Sequence, residues 1–404
     1  MPVAPRPLAV RSSSTPARVV VVGAGYAGLL AALRLAGERP RPAVTLVNAS
    51  PFFAERIRAH ERAAGAEPAP RELARMVRGT GIDLVVARVT GIDAASNAIE
   101  ISEGNTTRSL GYDHLVYALG SEAHPDAIPG AVEHALTLGS MEDGAAIDAR
   151  LRRGVRRLTI VGGGLTAVEL ATELAERRPE LELVIATRGD LVPGFSDEAR
   201  SYTRESLTGL GVSILEHTAV RAIEPGAIVM DGGKMHTELA VIAAGFRPRR
   251  LAAQSGLAVT SSGALAVDAS LRSLSAQNVW GAGDAAAIAC GEPWLRMACA
   301  TAMPLGAHAA DSIGRVLAGR SPEAFRFGFV AQCMSVGRRR GVVQRVHSDD
   351  AARPSFLRGK VGARVKEMVC RFTVAALAIE RLFPGTYTWP KANAIGSVAA
   401  PVLA

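Results

Sequence analysis

The sequence predicts an α/β chain built as two parallel-sheet units of one plan, closed by a smaller α+β unit. Three observations predict it. A nearly all β-branched run, Arg18-Val-Val-Val-Val, enters Gly23-x-Gly25-x-x-Gly28 and an alanine-rich helical pattern from Leu29 to about Leu35. The same grammar returns at Arg157-Leu-Thr-Ile-Val-Gly162-Gly-Gly164, with Gly23 and Gly162 lying 139 residues apart. Each copy is followed by a strand ending in small residues, at 115–120 and at 239–245. A buried strand, a tight glycine turn and a helix start aim backbone N–H groups at a diphosphate. The fold class is therefore two Rossmann-like dinucleotide-binding domains plus a small C-terminal α+β domain.

Composition bounds the reading. The 404 residues are 48% apolar and 21% charged, enough for large cores and two or three domains. Aromatic residues make up only 4%, so alanine and glycine carry the packing, which suits close helix-on-sheet contacts. The net charge of +8 is scattered among acids, and Arg338-Arg339-Arg340 is the one basic tract. With few rings to stack bases, nucleic acid is not an expected partner, whereas a positive field favours anionic cofactors. Cys290, Cys299, Cys333 and Cys370 lack Cys-x-x-Cys spacing and read as buried thiols of a cytoplasmic protein, with no metal site. Residues 1–17 hold no apolar export signal and read as a disordered tail. With no run of 18 apolar residues, no spanning helix is expected.

In the first unit, Gly23 permits the turn, Gly25 lets a ligand approach the backbone and Gly28 lets helix and strand pack closely, with Tyr26 and Ala27 between them. Ala43 to Asn48 is the second strand, and Asn48 stands where an acid usually meets the adenosine ribose. Residues 51–60, with Arg56, Arg58 and His60, read either as a ligand-facing segment or as a solvated helix start. A polar helix is expected over 66–80, a strand over 83–89 ending at Val89, and a hairpin arm at 104–110. The strand after Tyr112-Asp113 ends at Ala118 and Gly120, where backbone must run close to something.

The second unit repeats the plan. Its helix carries Leu165, Thr166, Ala167 and Glu169, and its second strand, 181–186, ends in Thr187-Arg188. A hairpin around Asp231-Gly232 follows, and then the strand ending at Ala244-Gly245. Residues 277–284 form a short strand that delivers Asp284 just after a glycine turn at Gly283. A Gly/Ala-rich helix runs from about Ala300 to Leu317, interrupted by Pro304. Residues 325–331 and 341–346 read as a β-hairpin pair, and 361–383 as an amphipathic helix with basic residues at 364, 366, 371 and 381. Tyr387 and Trp389 sit together in the tail, where they could cover a ligand. Two dinucleotide folds in one chain argue for two dinucleotides and a hydride passed from one ring to the other.

From about residue 18 to 319, with its motifs in the family's order, the chain resembles the two-dinucleotide-binding flavoproteins. This is the pyridine nucleotide-disulphide oxidoreductase superfamily, in its type II NADH dehydrogenase-like branch. The resemblance implies an FAD-binding domain at 18–125 and 258–320, an NAD(P)H-binding domain at 126–257 and a C-terminal hairpin-and-helix domain at 321–404. It assigns FAD to Gly23, Gly25, Tyr26, Ala27 and Gly28, with Asn48, Arg56, Val89, Ala118, Gly120, Gly283 and Asp284 around it. The flavin pyrimidine edge is expected at Ala300, Thr301 and Ala302, where helix N–H dipoles stabilise negative charge. NAD(P)H falls to Gly162, Gly164, Leu165, Thr166, Ala167, Ala244 and Gly245, with Glu169 as the catalytic acid near the nicotinamide. Arg188, with no acid beside it, suits a 2′-phosphate and favours NADPH over NADH.

Departures from the family shape the functional reading. Disulphide reductases of this superfamily carry a cysteine pair near residue 55 or 145, and no cysteine precedes Cys290, which excludes thiol–disulphide chemistry in that form. Ala300 and Pro304 stand where quinone-site glutamines are expected. The expected function is an FAD-dependent NAD(P)H:acceptor oxidoreductase that passes hydride from NAD(P)H to FAD and on to a quinone or quinone-like small molecule. The alternatives are a specialised-metabolite flavin oxidoreductase and a reductase docking a ferredoxin-like protein through Arg338, Arg339 and Arg340. Peripheral membrane contact through 361–383 stands open against core or lid packing, as does a homodimer. The expected location is cytoplasmic, with membrane association on the cytoplasmic face left open.

Overall fold

The computed structural model describes residues 15–289 and 295–392. The tail reading for residues 1–14 and Cys290 therefore lie outside the described residues. Valine-rich runs buried on both faces form parallel sheets, because each face must meet a helix. The first sheet has five parallel strands, in the order Val279–Gly281, His114–Tyr117, Arg18–Val22, Ala43–Asn48 and Asp83–Val86. The second repeats it with Ala135–Thr137, Leu239–Ile242, Arg157–Val161, Glu182–Ala186 and Ser213–Leu215. In both, the strand leading into the glycine turn is central, so the turn emerges at the carboxyl edge of the sheet. Gly23 N donates to Val47 O at 2.8 Å and Ala118 N to Val22 O at 3.0 Å, which fixes the first turn between its neighbours.

Each sheet carries a three-stranded antiparallel arm, 88–111 on the first and 220–236 on the second. A third antiparallel sheet, Ala331–Ser335, Gly341–Val346 and Ala352–Arg358, is followed by the helix Gly359–Leu382. That helix packs on the third sheet and on the first glycine helix, Tyr26–Leu35. The first glycine helix also lies along the long helix Cys299–Leu317. A Cβ added at Gly306 would overlap the carbonyl oxygen of Ala27, so the two helices touch backbone to backbone.

Four expectations are corrected. The helix expected over 66–80 is only the short strand Arg71–Glu72 and one turn, Leu73–Met76, because Leu73 alone of that turn is buried and Pro68 and Pro70 remove backbone donors. The 83–89 run breaks at Ala87, whose N–H donates to Asn48 O at 2.9 Å, and Arg88 and Val89 begin the arm instead. Pro304 does not interrupt its helix. Cys299–Leu317 is continuous, with Pro304 in its second turn. Residues 325–331 are not a continuous strand: Phe325, Phe327 and Phe329 bury their rings against one another, Arg326 makes a single bridge, and ladder pairing starts at Ala331.

Candidate active site

Three uncapped helix starts carry residues that the sequence assigns to the site. Tyr26–Leu35, Leu165–Arg177 and Cys299–Leu317 have no side-chain cap and no acid in the first turn. Two other helices show the opposite treatment. Ser140 accepts from Asp143 N ahead of Met141–Leu151, Ser196 accepts from Ala199 N ahead of Asp197–Gly209, and both have acids in the first turn. A cap contributes about 1 kcal/mol, and an uncapped start presents unpaired N–H groups and a partial positive charge. Gly359–Leu382 starts equally bare, so what marks these three is that they are the two glycine motifs and the stretch holding Ala300, Thr301 and Ala302.

The glycine turns fit the approach of a diphosphate. Gly23 takes φ +94, and a side chain there would overlap Ala118 O, while one at Gly28 would overlap Gly23 O. Gly25 and Gly164 differ: a Cβ on either would meet nothing within 4 Å, so the space above each is open. Glycine at these two positions is not required by the protein's own packing. An anionic ligand drawn close to the backbone accounts for both, and the residues present fit two dinucleotides.

Around the first turn, Asn48 Oδ1 accepts from Ala24 N at 2.9 Å and its Nδ2 donates to Ser50 O at 2.8 Å. Its amide therefore braces the turn. Tyr26 packs edge-on against Phe53, and Ala27 and Ala118 are buried. Val89 is half-buried against the first core. Gly120 lies at φ +70, beside a junction with a partner that the sequence did not reveal. Buried Ser121 donates to Asp284 Oδ2 at 2.8 Å and accepts from Arg56 Nη1 at 3.2 Å, with Arg56 also donating to Gly139 O at 2.8 Å. Burial pushes the Asp284 carboxyl up, only partly countered by Ser121 and Arg56, and burial likewise pushes the Arg56 guanidinium down. The Arg56 fork also lies over the Phe246 ring, 5.5 Å from its centroid. Gly283 packs under Ala27 and Ala302. Thr301 spends its hydroxyl on Arg296 O and Ala298 O, and Ala300 is exposed.

At the second turn Leu165 and Thr166 are half-buried and Ala167 is buried. Ala244 and Gly245 end the neighbouring strand, where Gly245 O accepts from His124 N at 2.9 Å. Arg188 is exposed at the end of its strand. The nearest acid in sequence, Asp190, is held by Arg200 at 2.6 Å and His217 at 3.2 Å, so a cation is the charge that this strand end presents.

Glu169 is not a solvated glutamate. Its Oε1 meets Lys366 Nζ at 2.7 Å and accepts from Ser335 N at 3.0 Å, and its Oε2 lies 3.8 Å from His60 Nδ1. Burial pushes its carboxyl up, but the Lys366 ammonium, His60 and Ser335 N–H outweigh this and hold it below the usual carboxylate range. Lys366 is correspondingly held above the usual lysine range, because Glu169 outweighs its burial. Cys299, Cys333 and Cys370 are free thiols around the same ammonium. Burial pushes all three up, the last to about 11, which makes them poor nucleophiles at neutral pH. In the sequence Lys366 is one of four basic residues on an amphipathic helix, with membrane contact open against core or lid packing. No local signal marks it, because its partner lies 197 residues away and its burial is set by the third sheet.

The C-terminal helix has two apolar faces. One buries Cys370, Thr373, Ala376 and Leu377. The other exposes Val361, Met368, Phe372, Ile379 and Leu382, and Phe383 follows just beyond. Arg338, Arg364 and Arg371 line the groove beside Met368 and Phe372. Beyond it the tail packs Trp389 and Phe325 around His308, and Trp389 Nε1 donates to Arg326 O at 2.8 Å.

Two repeated parallel-sheet units with bare glycine helices, and a buried acid–base pair joining the second to the C-terminal helix, define a two-dinucleotide flavoprotein. Comparison with known proteins agrees: residues 17–311 match the family model described as pyridine nucleotide-disulphide oxidoreductase, and the chain belongs to that family. It is an FAD-dependent oxidoreductase of NAD(P)H. An NADH dehydrogenase-like protein of Mycobacterium tuberculosis is 30% identical over 326 residues, covering 73% of this chain and 80% of the relative. A type II NADH:quinone oxidoreductase of Staphylococcus epidermidis is 29% identical over 361 residues, covering 80% and 89%. The structure of NDH2 from Plasmodium falciparum in complex with NADH superposes with a TM-score of 0.75 at 15% identity, over 91% of this chain and 99% of that one, a likeness of fold.

Proposed function

We propose that this enzyme oxidises NAD(P)H and delivers the electrons to a quinone or quinone-like aromatic. The observation that carries the reading is the buried Lys366–Glu169 pair beside Cys299, the first residue of the uncapped long helix. Bound FAD would supply reversible two-electron hydride chemistry. Gly23, Gly25, Tyr26, Ala27 and Gly28 would hold its diphosphate, with Asp284, Ser121 and Arg56 on the chain linking phosphates to ring. Ala300, Thr301 and Ala302 would offer N–H groups to the ring edge. On the second helix Gly162, Gly164, Leu165, Thr166 and Ala167 would hold the pyridine nucleotide, with Arg188 at its ribose. Glu169 fixes Lys366 as a protonated, dry cation, and such a group favours negative charge building on an acceptor oxygen.

The assignment of 18–125 and 258–320 to one cofactor and 126–257 to the other is supported by the strand Val279–Gly281 rejoining the first sheet. Docking of a ferredoxin-like protein at the basic tract is disfavoured because Arg338 is already shared by Glu173 at 2.5 Å and Glu61 at 3.5 Å. The exposed apolar face of the C-terminal helix, flanked by arginines, supports peripheral contact with an anionic bilayer. Among the described residues no helix is long and apolar enough to cross one.

The test is anaerobic addition of NADH and of NADPH to the purified holoprotein. Loss of the flavin absorbance with at least one donor, restored by menadione, is the expected outcome. If neither donor bleaches the flavin, the reading fails.

A further inference from the structure

Resting on that reading, the stoichiometry leaves one proton to be found. A hydride brings two electrons and one hydrogen, while a quinone takes up two electrons and two hydrogens. The second proton comes from water and must reach a dry site. We infer that His60 feeds it there, through Glu169 to Lys366.

The three groups form a line drawn from three elements. His60 lies on the short helix Ala59–Ala63, Glu169 on the second glycine helix and Lys366 on the C-terminal helix. Their side chains are 6%, 10% and 12% exposed. One carboxylate thus faces an ammonium at 2.7 Å through one oxygen and an imidazole at 3.8 Å through the other. The longer gap exceeds a hydrogen bond, and a ring movement of about 1 Å or one bridging water closes it. Ser335 N–H, fixed by its sheet, keeps the carboxylate from turning away.

The surroundings leave His60 neutral, as a relay requires. Burial pushes its imidazole down, opposed by Glu169, Glu61 and Glu173, while Lys366 adds to the push. Glu61, on the same helix, is held by Arg58 and Arg338, and Glu173, on the second glycine helix, by Arg338 and Arg177. The packed helix Met141–Leu151 presents Asp148, already shared by Arg62, Arg152 and Arg178. Glu169 is therefore the acid within reach of the imidazole whose other partner is the working lysine.

The transfers balance. Lys366 gives one Nζ proton to the acceptor oxygen and becomes an amine. His60 Nδ1–H passes its proton to Glu169 as His60 Nε2 takes one from water, leaving hydroxide to the solvent. Glu169 passes one to Lys366, and tautomer exchange through water then returns the His60 proton to Nδ1. No electron moves along the line. His60 is a positioning and relay residue that acts through Glu169.

Three measurements test this. In the wild-type holoprotein the His60 ring signal, assigned by its loss in His60→Asn, is titrated by NMR, then again in Glu169→Gln. The expected result is a further fall in the His60 midpoint once the carboxylate is gone, and an unmoved midpoint overturns the coupling. In stopped flow, His60→Asn and His60→Gln should be reduced by NAD(P)H at the wild-type rate. Their reoxidation by menadione should slow by about tenfold or more, most at alkaline pH. Reoxidation that follows the wild-type pH profile overturns the relay. Failure of the reduction step in wild-type protein would instead overturn the proposed function.

Discussion

Replacing Lys366 with methionine removes the ammonium 2.7 Å from Glu169 and strands a buried carboxylate beside His60. At an effective dielectric of about 20, two unit charges that close attract by about 6 kcal/mol. Much of this offsets the cost of taking both out of water, but removing one partner leaves the other's desolvation uncompensated, which costs about 3–5 kcal/mol. Glu169→Gln should cost a similar amount by stranding Lys366. The double variant Lys366→Met with Glu169→Gln should lose much less than the sum, giving a coupling of about 2 kcal/mol or more. Guanidinium unfolding of the four holoproteins at neutral pH measures it. The sign follows from the shifts: Glu169, held below its ordinary value, contributes stability above the unfolded pKa and loses it as pH falls through the folded one. Lys366, held above its ordinary value, contributes below the unfolded pKa and loses it only as pH rises through the folded one. The coupling should therefore be flat across neutral pH and fade in acid. Additive single losses would refute the argument.

Gly25→Ala should fold with wild-type stability, since its new Cβ meets nothing in the protein, yet purify with little FAD. Flavin absorbance against protein concentration decides it, and full occupancy would deny the diphosphate its place. Gly28→Ala should instead lower the thermal midpoint in flavin-free protein, because it overlaps Gly23 O. Arg188→Leu should raise KM for NADPH far more than for NADH, and equal changes in steady-state assays would remove the phosphate role. Met368→Ser with Phe372→Ser should weaken flotation with anionic vesicles while leaving flavin reduction by NAD(P)H unchanged, and undiminished flotation would rule out that face.

The repeated glycine turns were legible because their requirements are local: a strand, a turn and a bare helix start lie within a dozen residues. Asp284 was legible for the same reason. The acid–base line was not. Glu169 could be singled out by its place in a motif, but Lys366 reads as one more cation on an amphipathic helix, and His60 as part of a polar stretch. Their meeting depends on how the third sheet lays the C-terminal helix across both units. The phenylalanine alternation at 325–329 misled for a related reason: period two marks alternating burial, and these rings bury in a shared core without a continuous strand ladder. Pro304 misled because a proline ring is tolerated where the helix can forgo one hydrogen bond.

The backbone touch between Ala27, in the first turn of one helix, and Gly306, two turns into the other, makes the two helices the jaws of one calliper. No side chain lies between them at that point, so no rotamer change can alter the setting. In the assignment proposed above, one jaw grips phosphates and the other a ring edge, and a ligand must satisfy both at once. Selection among flavins then falls on the ligand's length, its two ends gauged by main chain and its middle by Asp284, Ser121 and Arg56. A methyl group added at 306 would reset the gauge without touching the ligand.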